Sequence, residues 1–319
     1  MRRIRRRILA LVDIVSSPFV YPAAFFLKKI RAAGIERLPL CRKALFQIGV
    51  FPVRDHYHEP LVNAKHLRHP LSADRILPGI EWDAEDQLRL LNSFQFSDEL
   101  NDVQISKVDD LTFYLNNGAF EAGDAEYWYN LIRLKKPSRI FEVGSGYSTL
   151  MAIRAIRRNE EEISGYKCKH VSIEPFEVPW LERTSASVIR KKVEDVDRSL
   201  FSELGESDIL FIDSSHVIRP QGDVVFEYLE LLPGLNKGVI VHIHDIFSPK
   251  DYPDEWVRKA VRFWNEQYLL EAFLTSNRCW KIIGALNFLH HNYYSKLKEK
   301  SPFLTPEREP GSFYIQKVA

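Results

Sequence analysis

The residues best suited to chemistry fall in short clusters in the middle of the chain. Phe141-Glu142-Val143-Gly144-Ser145-Gly146-Tyr147-Ser148-Thr149 sets two glycines between a short apolar run and a helical pattern. Glycines at such a junction let the backbone turn tightly and approach a ligand closely. The helix that follows offers free N–H groups and a positive dipole end to a carboxylate or phosphate. Glu142, Gly144, Ser145, Gly146 and Ser148 are therefore candidate cofactor-binding residues of a nucleotide-like site. Glycines also end strands for purely structural reasons. Position after the first strand of an alternating α/β run is what gives this pair its weight. Glu174 ends the next apolar run, where an acid can accept hydrogen bonds from both hydroxyls of a ribose. Glu194-Asp195 follows the strand after that, and Asp195 is expected at an adenine edge; a solvated turn is the plain alternative.

Two further strand ends carry acids and histidines together. One reads Asp213-Ser214-Ser215-His216, the other His242-Ile243-His244-Asp245. Alternation along a strand puts His242 and His244 on one face and starts the loop at Asp245. Asp213, His244 and Asp245 then converge if their strands are neighbours. A single histidine is more often structural than catalytic; this many groups at two adjacent strand ends are harder to dismiss. His56, His58, His66 and His69 form another cluster without zinc-finger spacing, read as a lid or substrate contact, or a surface loop.

The elements that must position these groups alternate. Strands are expected at Arg139 to Val143, His170 to Ile173, near Val193, Asp208 to Ile212 and Gly238 to Ile243. Helices are expected between them, at Ser148 to Arg158, Pro179 to Ile189 and Gly222 to Leu232. A long aromatic helix should run from Pro253 to Leu274, its Trp256, Phe263, Trp264 and Tyr268 packing in the core. Trp280 to Leu286 and Ser312 to Val318 read as two last strands, paired as a hairpin. An earlier helix opens after Gly123, with Asp124 as its cap and Tyr127, Trp128, Leu131 and Ile132 at helical spacing. Such alternation implies right-handed crossovers and a parallel sheet covered on both faces. Before it the chain reads as helices and loops, with a helical pattern over Ala73 to Phe96. Three regions result: a basic and apolar segment, 1–35; a helical accessory or lid region, 36–115; and the α/β domain, 116–319.

The N-terminal segment sets Arg2, Arg3, Arg5, Arg6 and Arg7 ahead of an apolar run from Ile8 to Leu27, closed by Lys28, Lys29 and Arg31. A signal peptide would need a small-residue cleavage site, which is not evident. A spanning helix needs about 20 apolar residues, and this run is interrupted by Asp13, Ser16, Ser17, Pro18 and Pro22. A helix lying in the membrane interface through residues 1–30 tolerates such interruptions better; a helix packed on the domain is the bland alternative. The 319 residues are 45% hydrophobic and 27% charged, as in ordinary globular proteins, and the net charge of +1 gives no global attraction to nucleic acid. Cys41, Cys168 and Cys279 form no CxxC and no even set, which fits a reducing cytoplasm, at the inner face of the membrane if the segment docks. Nothing in the sequence sets an oligomeric state.

The order of Glu-x-Gly-x-Gly, Glu174, Asp195 and Asp213 resembles the class I S-adenosylmethionine-dependent methyltransferases. The wording Phe-Glu-Val-Gly-Ser-Gly-Tyr-Ser-Thr, Ile-Asp-Ser-Ser-His and His-Ile-His-Asp is similar to a bacterial small-molecule branch of that class. The runs Asn116-Asn117-Gly118-Ala119-Phe120 and Arg54-Asp55-His56-Tyr57-His58-Glu59-Pro60 look like it too. A dinucleotide fold would want a third glycine where Thr149 stands. The resemblance implies a Rossmann-like α/β fold with a seven-stranded, mostly parallel sheet whose last strand is antiparallel. It implies S-adenosylmethionine as cofactor and a small-molecule, sugar or lipid-linked hydroxyl as acceptor. By similarity to metal-dependent macrolide-sugar O-methyltransferases, Asp213, His244 and Asp245 would hold a divalent metal and His216 would take the acceptor's proton. His244 stands where that group has Glu, which shifts the expected ion from Mg²⁺ towards Mn²⁺, Fe²⁺ or Zn²⁺. Without metal, His216 or His244 is a plain base oriented by Asp213 or Asp245, and alignment does most of the work. A non-catalytic cofactor-binding membrane protein, and a metallohydrolase built on His242, His244 and Asp245, are the competing readings.

Overall fold

The computed structural model describes residues 2–176 and 178–319; Met1, Glu177 and the side chains of Arg2 and Arg3 lie outside the described residues. The chain divides into two compact units, Met1–Arg68 with Glu255–Phe263, and His69–Asp254 with Trp264–Ala319. Of the region 36–115, the part up to Arg68 thus belongs to the smaller unit and the part from His69 to the larger.

The smaller unit is helical through residue 48. Helix α1 runs Arg2–Ala33 and α2 runs Pro39–Ile48. Pro39 starts α2 where its missing N–H costs nothing, and Gly49 closes it in the left-handed region at φ 77°. A small cluster of Ile30, Ile35 and Leu45 holds the two together. Beyond α2 the unit is loop, tied by Glu59, whose carboxylate accepts from Arg31 and Arg54 at 3.0 Å each. His56 and His58 sit exposed in that loop, and His66 lies 3.3 Å from Asp55.

In the larger unit α3 (Ala84–Asn92) and α4 (Asp124–Lys135) precede a seven-stranded sheet. Its strands are β1 (Arg139–Val143), β2 (Lys169–Ile173), β3 (Ser187–Ile189), β4 (Ile209–Ile212), β5 (Ile240–Ile243), β6 (Trp280–Ala285) and β7 (Phe313–Lys317). The spatial order is β3-β2-β1-β4-β5-β7-β6, parallel except for β7, which runs antiparallel to both its neighbours. The intervening helices are α5 (Tyr147–Glu162), α6 (Asp223–Phe226), α7 (Leu232–Gly234), α8 (Glu266–Leu274) and α9 (Leu286–Lys300). Alternation sorts the strand side chains. Ile140, Ile209, Phe211 and Ile240 pack with α3, α4, α5 and α9, whereas Phe141, Val143, Leu210 and Ile243 pack with α6 and α8. Both faces are covered, so the strands are mostly apolar, and the polar side chains of Glu142, His170, Ser172 and His242 within them are themselves buried. Register pairs Val143 with Ile173 and Ile212, and Ile212 with Ile243. Gly144, Glu174, Asp213 and His244 therefore leave the sheet at one level, along one edge.

Several expectations fail for tertiary reasons. Residues 179–189 form no long helix: Leu181–Arg183 is a short 3₁₀ turn, and Ser187–Ile189 pairs with β2 instead. The helix expected over 253–274 is a π-helical turn at Glu255–Lys259 and, separately, α8. The break is held from outside, because Asn265 donates its backbone N–H to the His216 carbonyl at 2.9 Å. Over 73–96 only α3 is α-helical. Asp124 is not the cap of α4. Glu126 reaches back to the Gly123 N–H at 2.8 Å, while Asp124 accepts from Gly311 and Ser312 N–H groups at 3.0 and 2.8 Å. The last two strands pair as expected, but α9 lies between them in sequence, so they are not joined by a tight turn.

Candidate active site

The turn after β1 is held open by two separate devices. Gly144 has φ 80°, and a Cβ placed there would lie 2.0 Å from the Asp213 carbonyl oxygen. Only glycine fits. Glu174 accepts from the Ser145 N–H at 3.2 Å and the Phe176 N–H at 2.8 Å, which fixes its carboxylate beside the turn. Glu142 points the other way, into the core. It lies 3.4 Å from His170 Nε2 and accepts from the Thr149 hydroxyl, which in turn accepts from the Gly146 N–H at 3.2 Å. Glu142 thus supports the turn from behind and does not line the cavity. Ser148 is buried in the first turn of α5, and its carbonyl accepts from Trp128 Nε1 at 3.2 Å. A cavity of about 210 Å³ opens in front of the turn, lined by Gly144, Glu174, Lys192, Glu194, Asp213 and Ser214, among others. Asp195 is exposed and is not among its lining residues. The 3₁₀ turn Val193–Asp195 puts Glu194 there instead, one residue earlier than expected.

Next to this cavity, β4 and β5 bring the second set together. His216 Nε2 lies 3.1 Å from Asp213 Oδ1 and 3.7 Å from Asp245 Oδ2. His216 and Asp245 both have φ 59°, in the left-handed region that non-glycine residues seldom occupy. Each such residue costs about 1–3 kcal/mol and survives where surrounding structure demands it. The demand here is that the His216 ring fold back between two carboxylates. Donor atoms of Asp213, His216 and Asp245 all lie within 4.8 Å of one another. His244 is beside them rather than among them, with Nε2 3.6 Å from Asp245 Oδ1 and its ring 5.1 Å from Phe120. His242 does share the face of His244 but is wholly buried against Trp128, Phe211 and Tyr314.

A layer of acids missed by sequence reasoning holds the Asp213–His216 loop from below. His216 Nδ1 meets Glu266 Oε2 at 2.8 Å, and Glu266 also accepts from the Tyr228 hydroxyl at 3.0 Å. Asp223 accepts from the Ser215 N–H at 2.9 Å and hydroxyl at 2.7 Å; Glu227 accepts from the Ser214 hydroxyl at 3.1 Å. Glu227 opens a π-helical turn, Glu227–Leu231, between α6 and α7, a local widening frequent at functional sites. The available signal was two acids four apart, Asp223 and Glu227, followed by Glu230, in a helical stretch whose other residues are apolar. Trp264, expected in the core, instead packs tilted against His216 with ring centroids 4.2 Å apart.

Residues 141–246, the stretch holding both halves of this edge, match the family described as "Methyltransferase domain". An uncharacterized protein of Archaeoglobus fulgidus is 31% identical over 173 residues, covering 50% of this chain and 76% of that protein. The chain belongs to the class I S-adenosylmethionine-dependent methyltransferases. Among solved structures, this methyltransferase is similar to an O-methyltransferase from Bacillus cereus in complex with SAH, at 14% identity and TM-score 0.38, covering 75% of this chain and 98% of that one. It is also similar to the O-methyltransferase TomG of Streptomyces achromogenes in complex with SAM, at 16% identity and TM-score 0.37, covering 75% and 97%.

The electrostatics of the methyltransferase's second cluster follow from burial opposed by pairing. Burial would lower the His216 pKa, but hydrogen bonds to Asp213 and Glu266 outweigh it and hold the imidazole well above its usual value of 6.5. Burial would likewise raise Asp213, yet its bond to His216 and the nearby His244 keep it below the usual carboxylate range. Asp245 is pushed up, by burial first, with Asp213 adding repulsion against the opposing pull of His244. His242 is driven well below its usual value by burial and by His244. These opposing pulls favour a proton on His216, held between Asp213 and Glu266. On the cofactor side, Glu174→Ala is expected to weaken SAH binding by about 10–100-fold, the worth of one or two hydrogen bonds to a charged acceptor, while circular dichroism stays unchanged; calorimetric titration reads it.

Proposed function

We propose that this methyltransferase moves the methyl group of S-adenosylmethionine onto a hydroxyl oxygen of a small molecule, sugar or lipid-linked sugar. The observation that carries this is His216 Nε2 held between the carboxylates of Asp213 and Asp245, beside the cavity that Gly144 and Glu174 border. A hydroxyl is a poor nucleophile until it loses its proton, and this edge is built to handle one. As the acceptor oxygen bonds the methyl carbon, the carbon–sulfur bond breaks and S-adenosylhomocysteine leaves. With His216 already holding a proton, the hydroxyl proton passes to a carboxylate of the Asp213–His216–Asp245 cluster, Asp245 being the more basic of the two. The ribose is assigned to Glu174, the adenine edge to Glu194 in place of Asp195, and the methionine end to the Gly144, Ser145 and Gly146 turn. Glu142 and Ser148 act from behind that turn.

The donor set also fits a divalent metal. A carboxylate on one ring nitrogen of a histidine, with the other nitrogen aimed at a ligand position, is the usual support of a metal site, and Glu266–His216 has that form. Asp213, His216 and Asp245 would hold the ion, so His216 takes the ligand place first expected of His244. One imidazole with two carboxylates suits Mn²⁺, Fe²⁺ or Zn²⁺ at least as well as Mg²⁺. When bound, the ion lowers the pKa of a coordinated hydroxyl. His244 orients Asp245 in either case. The metallohydrolase reading loses its first ligand, since His242 is sealed under three aromatic rings.

Membership of this family and unpaired Cys41, Cys168 and Cys279 support a cytoplasmic domain, at the membrane's inner face through residues 1–30. The test of function is transfer of labelled methyl from S-adenosylmethionine to an extractable small molecule of the source cell. Label in a base-stable ether product, lost on EDTA treatment, supports hydroxyl transfer with metal. Cofactor binding without any transfer contradicts it.

Stability should track the His216 proton. A histidine whose folded pKa is raised adds stability that is complete below its unfolded value, near 6.5, and is lost as pH rises through the folded value. The wild type is therefore expected to lose its thermal advantage over His216→Asn as pH climbs above 6.5 in EDTA. A constant gap across that range, read by differential scanning calorimetry, would refute the assignment.

A further inference from the structure

We infer that α1 lies flat in the headgroup layer of an anionic bilayer, with its apolar side in the acyl region and both ends on one face. This rests on the membrane contact proposed above and makes it specific. Length and composition alone allow a spanning helix, since residues 4–33 have a mean hydropathy of 1.7 in their most apolar window and no part of that window is buried. Two observations on the helix decide otherwise, and a third agrees with burial of one side in lipid.

The first is its faces. At 100° per residue, Ile4, Ile8, Leu11, Val15, Phe19 and Phe26 stack along one side, and every one is more than half exposed. Phe19 is 74% exposed. On the opposite side Arg6, Asp13, Ser17 and Ala24 follow at intervals of seven and four residues. A helix whose first half has a narrow polar stripe, Arg6, Asp13 and Ser17, opposite a wide apolar side matches an interface, which wets one side and buries the other. A spanning helix has no use for the stripe and would carry Asp13 roughly 8 Å into hydrocarbon, counting 1.5 Å per residue from Ile8.

The second is charge at both ends. Arg5, Arg6 and Arg7 are exposed at one end, and Lys28 and Lys29 at the other. Spanning would push one basic group across the membrane, against the bias that keeps lysine and arginine on the cytoplasmic side. Lying flat sets both groups on the anionic surface, each charge adding attraction. This complementarity commits the partner to acidic lipid rather than to protein.

The third is backbone satisfaction. Pro18 has no N–H for the Ile14 carbonyl. The Ser17 hydroxyl donates to that carbonyl instead, at 3.2 Å. The Ile14 carbonyl thus stays satisfied where water is scarce, and Pro18 and Pro22 remain inside the helix.

The experiment uses the full chain and no methylation readout, so its outcome is separate from that of the catalytic proposal. Wild type, Phe19→Asp with Val15→Asp, and Arg5, Arg6 and Arg7 all →Gln are floated with vesicles of phosphatidylcholine alone or with phosphatidylglycerol. Wild type is expected to float at least about tenfold better on the acidic vesicles, an effect that salt weakens. The aspartate variant should lose flotation on both, and the glutamine variant should lose the lipid preference. Topology is read with protease on sealed inside-out membrane vesicles carrying the chain with a tag at each end. Cleavage of both tags from the same face is expected. Protection of the N-terminal tag alone means a spanning helix and overturns the inference, as does equal flotation on both lipids or none.

Discussion

Asp213→Asn is expected to cut methyl transfer by about 10²–10⁴, the usual worth of a positioned acid–base group, while SAH affinity changes by less than about tenfold. The asymmetry follows from where the residue sits. Its side chain meets His216 Nε2 at 3.1 Å, but its contact with the glycine turn is through the backbone, where the Asp213 N–H donates to the Val143 carbonyl at 2.9 Å. The amide keeps the shape and removes the charge that, with Glu266, holds the His216 proton. It also removes one of the three donors gathered within 4.8 Å. Single-turnover kinetics beside calorimetric SAH binding will show the split. A variant that keeps more than half the wild-type rate would remove Asp213 from the chemistry.

Gly144→Ala should have the opposite profile, with cofactor binding lost before anything else. Alanine must adopt φ 80° and place its methyl 2.0 Å from the Asp213 carbonyl oxygen. That oxygen cannot retreat, because Asp213 follows β4 and β4 is paired with both β1 and β5. The positive φ alone costs about 1–3 kcal/mol, and the clash adds to it. Thermal unfolding should drop by at least about 2–4 °C, at the rate expected per kcal/mol for a domain of this size, and SAH affinity should fall by more than about 100-fold. Thermal shift with and without SAH measures both. Normal SAH stabilisation of the alanine variant would mean that the turn is not the cofactor's seat.

The parts of this protein that were legible in its sequence are those dictated locally. β1, β4 and β5 are short, mainly apolar runs, broken by Arg139, Glu142 and His242, because both faces of the sheet are covered, and the glycine turn and the acid-bearing strand ends could be read directly from them. What sequence reasoning missed depends on distant partners. α8 begins at Glu266 and not at Pro253, because Asn265 is tied to the His216 loop. Glu266 itself is fifty residues from the histidine it orients, and no spacing rule connects them. Glu194 displaces Asp195 at the cavity through the phase of a single 3₁₀ turn. His216 changes from an expected base to a ligand candidate because its φ of 59° turns the ring back between two strands' carboxylates. That conformation is set by the Glu266 contact and is invisible in Asp-Ser-Ser-His.

A crystal structure with SAH bound is the most direct measurement. The ribose hydroxyls should lie within hydrogen-bonding distance of the Glu174 carboxylate, with the sulfur directed towards Asp213 and Asp245. An SAH found at another edge of the sheet, or with its ribose away from Glu174, would contradict the assignment of this crevice.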